Sequence, residues 1–198
     1  MISREAEIVH QGRWIKMHEV KIRKRNSKET IWYYVSRNIS NPNLNFDCVD
    51  VLATIMENDI NKLILIACYR VPVDRYVLEF PSGLVDSSDS SAAITALREL
   101  KEETGYTAHE EDIIHIGPVI NLDPWKSTES TRFVYIRVNP DSEENRNPHQ
   151  DLENEELITV ELVPTENLLE NLLILSEQKN YIISANLYNF ALGHQRKR

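Results

Sequence analysis

The densest group of side chains able to do chemistry is Arg98-Glu99-Leu100-Lys101-Glu102-Glu103. An α-helix advances about 100° per residue, so residues three and four apart share a face. On a helix Glu99, Glu102 and Glu103 converge on one side, while Ala93, Leu97 and Leu100 can turn to a core. Three carboxylates on one face repel one another unless something positive offsets them. Hard divalent cations such as Mg²⁺ need this kind of oxygen cluster. The same run also suits an ordinary solvated helix face. Three neighbours favour a site. Arg98 can orient a carboxylate. Gly105 fits the left-handed position that ends a helix. Gly83 follows Glu79-Phe80-Pro81-Ser82, a strand that stops at a proline. The chain has only 5 glycines, and two of them bracket this segment.

The elements that must position this helix can be read along the chain. Strand-like stretches rich in β-branched and aromatic residues fill the region from about residue 5 to 37, including 13–20 and 30–35, joined by the polar turn 24–28. Residues 38–45, with Pro42, form a loop. Further strands are expected over 48–56, 63–70, 76–80, near 113–121, over 131–138 and over 157–163. The acidic helix should run from about Ser91, a suitable N-cap, to Thr104. Residues 140–155 are polar and acidic and predict a mobile loop. Two helices, near 165–176 and 184–195, close the chain. Strands, a helix, strands and helices without regular βαβ alternation predict an α+β domain with a mixed sheet.

A chain of 198 residues is long enough to bury one sizeable core. Its 31 acidic and 22 basic residues give a net charge of −9, which argues against nonspecific nucleic-acid binding. Phosphate chemistry is still open to it, because a bound metal reverses the local sign. Cys48 and Cys68 lie in apolar strand-like runs and read as buried free thiols. No apolar run approaches the roughly 20 residues of a membrane span, and the first residues lack the apolar core of a signal peptide. The expectation is a cytoplasmic protein, with the nucleus as a second compartment, and no membrane partner. No Ser/His/Asp or Cys/His arrangement suggests a covalent nucleophile, and His10, His18, His109, His115, His149 and His194 lack metal-ligand spacing.

The stretch Gly83–Tyr106 resembles the Nudix box, Gly-x5-Glu-x7-Arg-Glu-U-x-Glu-Glu-x-Gly-U, where U is aliphatic or aromatic. Residues Arg98 to Tyr106 match its second half at every fixed position. The first half is one residue longer than the pattern: the box glutamate falls on Asp89 counted from Gly83, and on Ser90 counted from Arg98. Over most of its length the chain is similar to the eukaryotic ADP-sugar diphosphatases, or ADP-ribose pyrophosphatases. The similarity is carried by Glu79-Phe80-Pro81-Ser82-Gly83-Leu84-Val85-Asp86, by Leu122-Asp123-Pro124, and by the terminal run Leu187-Tyr188-Asn189-Phe190-Ala191-Leu192.

This resemblance implies an α/β/α sandwich with a central mixed sheet, preceded by an antiparallel strand extension. Residues 1–45 would be the extension for dimerisation and base binding, and 46–198 the hydrolase domain. The implied activity is hydrolysis of ADP-ribose, or a related ADP-sugar, to AMP and ribose 5-phosphate, with Mg²⁺ or alternatively Mn²⁺. Metal ligation would fall to Glu99, Glu103 and Glu102 with the Ser82 carbonyl, and Arg98 would belong to the catalytic set. Trp14 and Trp32 would clamp adenine across a homodimer; as residues alone they read first as cross-strand partners on an apolar face. Arg37 and Arg70, at strand ends, match phosphate-contacting positions, and Asp123 a substrate-binding one; either arginine could instead be a surface residue paired with an acid. The general base would be Glu156, beside Glu155, in an acidic run that is otherwise an ordinary solvated stretch, with Glu102 or Glu103 as alternatives. Tyr33 stands where the family often has an acidic residue, and Trp125 where it varies, either lining the site or in the core. Rival readings are a Nudix hydrolase of another nucleoside diphosphate derivative and a non-catalytic ADP-ribose-binding module.

Overall fold

The computed structural model describes residues 2–24, 28–38, 41–152 and 156–195. It begins with three long strands, β1 (Ile2–Gln11), β2 (Ile15–Lys24) and β3 (Thr30–Arg37), which form an antiparallel sheet of their own in the order β1-β2-β3. The expected turn between β2 and β3 lies partly outside the described residues, at 25–27.

The second sheet is built on β4 (Cys48–Glu57) and β5 (Ile60–Arg70). They form a hairpin closed by Asn58 and Asp59, both in the left-handed region at φ 51° and 62°. Such a two-residue turn matches the natural strand twist and favours Asn and Asp. The remaining strands are β6 (Arg75–Glu79), β7 (Ser82–Leu84), β8 (Ile113–Ile116), β9 (Ile120–Asn121), β10 (Ser130–Val138), β11 (Ile158–Pro164) and β12 (Ile182–Ile183). The main path runs β12-β6-β5-β4-β10-β8; β10 lies parallel to β4 and β12 parallel to β6, and the other pairs are antiparallel. The sheet is therefore mixed, as expected. β12 is an addition: two residues between polar neighbours carry too little periodicity to read as a strand.

Side chains on successive strand residues face opposite sides. Val49, Val51, Ala53 and Ile55 of β4 join one core with Ala92, Ala96 and Leu100 of α1 (Ala92–Thr104). Leu63, Leu65 and Ala67 of β5 face the other way, onto Leu168 and Leu172 of α2 (Leu168–Lys179) and Leu187 and Ala191 of α3 (Ala185–Gln195). The result is helix, sheet, helix in three layers. α2 begins three residues later than its composition suggests, because Thr165 donates through its backbone N and its hydroxyl to Asn61 O and is held to the β-hairpin.

One irregularity of the sheet makes room for the site. β5 gives one whole edge to β11, from Lys62 to Cys68. Its other edge is shared: β4 pairs with Ile60–Ile64, and β6 takes over from Ile66 to Arg70. Where β4 leaves β5, β7 fills the vacated edge of β4 at Cys48–Asp50, and Val51 N donates to Pro81 O. The segment Glu79-Phe80-Pro81-Ser82-Gly83 is thus a wedge driven between two splayed strands, with the proline at the point where ladder pairing changes partner.

The acidic stretch after β10 is irregular as expected, but up to Leu152 it is tied down. Asn145 donates through Nδ2 to Thr107 O and Asn139 O and accepts from Thr107 N, while Gln150 Nε2 donates to Glu103 O and Asp151 N to Glu102 O. The polypeptide lies so close to the end of α1 that a Cβ on Gly105, at φ 78°, would stand 2.5 Å from His149 N. Gly105→Ala should destabilise the fold by roughly 2 kcal/mol or more, read as a lower midpoint in urea unfolding.

Candidate active site

α1 is set at both ends. Ser91 caps its start by accepting from Ile94 N through Oγ at 3.3 Å, and Gly105 N closes its end on Lys101 O. Between them Arg98 uses every donor of its guanidinium. Nε and Nη2 donate to Asp89 at 3.3 and 2.9 Å, and Nη2 donates also to Leu84 O at 2.9 Å. Nη1 donates to Glu99 Oε1 and Glu102 Oε2, both at 2.8 Å. Arg98, placed by sequence in the catalytic set, is therefore saturated by the protein. It orients carboxylates and has no N–H left for a phosphate oxygen.

Asp89 decides the ambiguity in the stretched half of the box. Its carboxylate is almost fully buried, takes the fork of Arg98 and accepts from Asp86 N. Burial pushes its pKa up, but the Arg98 bonds outweigh that and hold it below the usual carboxylate value. Ser90 takes no such part. With Asp89 in the acid's place the spacing from Gly83 is that of the pattern, so the extra residue falls between Asp89 and Arg98, and a shorter acid still reaches the arginine.

The wedge meets the helix face at Ser82 and Gly83. Ser82 N donates to Glu103 Oε2 at 2.7 Å. A Cβ on Gly83 would lie 2.0 Å from both Cδ and Oε1 of Glu99, so the Glu99 carboxylate rests directly on glycine backbone. Both acids are buried, Glu103 to 4% exposure. Burial raises the Glu99 carboxyl to about 7 against the pull of Arg98. Burial also raises Glu103 well above the usual range, with the charges of Glu99 and Glu156 adding to it. Glu102 is half-exposed on the outer side of the group.

Other predicted residues gather at the same end of the sheet. Glu156 acts electrostatically on Glu99, Glu103 and Cys68, which puts its carboxylate beside the cluster; its neighbour Glu155 lies outside the described residues. Arg70, at the end of β5, pairs with Glu79 at 2.5 Å, and its charge reaches Glu103. Asp50, half-buried and raised by desolvation, accepts from Thr131 Oγ1 and lies within the fields of Arg70 and Glu129. Arg37 donates to Glu129 at 3.0 Å, and its buried Nε has no hydrogen-bond partner. Asp50, Glu79 and Glu129 were not singled out from sequence. Their signal was available only as acids at strand ends, which is too common to select them.

The tryptophans separate. Val20 of β2 faces Trp32, whereas Trp14 O accepts from Asn38 N, six residues further along β3. At about 3.3 Å per residue that is roughly 20 Å. Trp14 and Trp32 are therefore not cross-strand partners, and one chain cannot close them on a base. Trp14 is 53% exposed beneath the Arg13 guanidinium. Trp32 lines a cavity of about 580 Å³ together with Arg4, Tyr34, Asn121 and Trp125. Trp125 is 66% exposed and borders this cavity, so it is not part of the core. Asp123, next to the cavity, is ion-paired with Lys126 at 2.6 Å.

A mixed three-layer fold with a saturated arginine, two buried helix glutamates and a glycine under one of them defines a hydrolase site of the Nudix type. The model of the NUDIX domain matches residues 48–185, and the chain belongs to the Nudix family. It is 31% identical over 189 residues to the putative nudix hydrolase 2 of Caenorhabditis elegans, covering 96% of this chain and 83% of that protein. It is 28% identical to the ADP-sugar pyrophosphatase of Mus musculus (94% and 84% covered) and 28% identical to the ADP-ribose pyrophosphatase of Saccharomyces cerevisiae (96% and 81% covered). A crystal structure of an ADP compounds hydrolase superposes with a TM-score of 0.55 at 23% identity, covering 84% of this chain and 80% of that one, a likeness of fold.

Nudix hydrolases in general use divalent metal ions, and the donors fit one in kind: two buried carboxylates four residues apart, raised by burial, on a face with hard oxygens only. Among the described residues no group of three His, Cys, Asp or Glu is arranged to hold an ion. Glu99 and Glu102 turn to Arg98, and Glu103 turns to the Ser82 amide. Glu103→Gln removes a buried carboxyl whose ionised form burial disfavours, and keeps an acceptor for Ser82 N. It should raise the metal-free melting temperature, by on the order of 1 kcal/mol in stability. Millimolar Mg²⁺ should then raise the melting temperature of the wild type and leave that of the variant nearly unchanged.

Proposed function

We propose that the protein is a Mg²⁺-dependent diphosphatase of ADP-sugars, chiefly ADP-ribose, producing AMP and ribose 5-phosphate. The observation that carries this reading is the buried Glu99–Glu103 pair seated on the Ser82-Gly83 wedge, with Glu156 and Arg70 at its border. The names of the mouse and yeast relatives support the substrate class.

Glu99 and Glu103, with Glu102 and the Ser82 carbonyl, would hold the ion. When bound, Mg²⁺ or Mn²⁺ neutralises diphosphate charge and makes a water molecule more acidic. Glu156 takes the proton from the attacking water. The water oxygen bonds to one phosphorus, and the bridging oxygen leaves with the other phosphate. Arg70 and Arg37, each steadied by one carboxylate, meet the diphosphate oxygens. Arg98 keeps Glu99 and Glu102 in place and so acts through them. Trp14 can reach a base bound at Trp32 only from a second copy, so a homodimer is part of the reading. The sheet β1-β2-β3, with Ile8, Trp14, Ile15 and Met17 exposed, offers apolar surface for it.

Incubation with ADP-ribose and Mg²⁺ should release AMP and ribose 5-phosphate in equal amounts. Glu99→Gln should lower kcat by about a hundredfold or more with the fold intact by circular dichroism. Glu156→Gln should lower kcat by about 10²–10⁴-fold with KM little changed. No AMP from any ADP-sugar with Mg²⁺ or Mn²⁺, despite tight ADP-ribose binding, would replace this reading by that of a binding module.

A further inference from the structure

We propose that Trp125 is a nucleobase-stacking residue, and that with Trp32 of the same chain it forms the aromatic wall of the base pocket. This rests on the proposed action on nucleoside diphosphate sugars. Trp32 and Trp125 line one cavity, and Trp32 Nε1 donates to Trp125 O at 3.2 Å, which ties the two positions together. The cavity, about 580 Å³, is in the range of small-molecule sites.

The backbone of the loop that carries Trp125 is held by hydrogen bonds, although its ring is not covered. Lys126 N and Ser127 N both donate to Asp123 O, and Lys126 Nζ pairs with Asp123. On the other side Val35 N donates to Lys126 O and Thr128 N to Val35 O, stapling the loop to β3. Lys126 Nζ lies 5.2 Å from the centre of the Trp125 ring. A backbone held at this many points nevertheless leaves the indole 66% exposed. Packing of this chain does not account for the indole, whereas a flat aromatic ligand in the cavity does.

Charged residues lead from the border of the cavity toward the acidic cluster. Thr128 lines it, and the next residue, Glu129, holds Arg37. The field of Glu129 reaches Asp50, that of Arg70 reaches Asp50, and Arg70 and Glu103 act on each other. A base stacked at Trp125 therefore has Arg37 and then Arg70 on the way to Glu103, two cations of the kind a diphosphate between base and sugar requires.

The test is binding of AMP alone, followed by calorimetry, with ADP-ribose kinetics beside it. Trp125→Ala should weaken AMP binding about tenfold or more and raise KM for ADP-ribose similarly, with kcat within threefold. Trp125→Phe, which keeps a π-face, should recover most of the affinity. Because the ring is exposed, the melting temperature should not change. Equal AMP affinity in the wild type and Trp125→Ala overturns the proposal, as does a loss that Trp125→Phe fails to recover. Failure of the diphosphatase reading shows separately, as no ADP-ribose turnover by the wild type.

Discussion

The guanidinium of Arg98 is the point on which the site depends. It lies on α1, yet its five bonds go to the turn before the helix, to the backbone of β7 and to two carboxylates of its own helix. A planar, always-charged fork can bind all of these at once; a lysine ammonium could not. Without it, three acids on one helix face would repel one another, and the box turn would lose the partner of its buried aspartate. The arginine therefore fixes the geometry of the groups around it.

The second constraint is steric. Splaying β4 from β5 costs ladder hydrogen bonds, and the wedge β6-Pro81-β7 restores them on both flanks. At its tip the backbone comes so close to the helix that only a glycine fits under Glu99. The wedge supplies an amide to Glu103 and excludes solvent from both acids. Burial then raises both carboxyls, so placing these acids here opposes the fold's own stability. Proteins commonly keep such strain where a ligand or ion relieves it.

The aromatic surface follows a different logic. β1, β2 and β3 form a sheet outside the sandwich and touch it through the loop at 125–129, by the Val35 bridge, the Trp32 indole and the Arg37–Glu129 pair. The exposed aromatic groups and the buried carboxylates thus come from separate layers. Their alignment depends on a few contacts at one end of the large sheet.

Much of this was legible from residue order. Helical periodicity and the cap residues Ser91 and Gly105 delimit α1 to within a residue, and the Arg98–Gly105 pattern selects the metal-type face, because these are local effects of a 3.6-residue period. The alternation of β4 and β5 marks two core faces in the same way. Three things were beyond local reasoning. Asp89 or Ser90 could not be chosen by counting, since only the folded turn shows which one reaches Arg98. Trp14 and Trp32 read as partners until strand register set them six residues apart. The companionship of Trp32 with Trp125, 93 positions away, exists only because β3 docks on the loop before β10. The sequence by itself determined which residues carry charge, caps and periodicity. The tertiary structure alone decided which of them meet, because register and strand splay arise from pairing between segments that are distant along the chain.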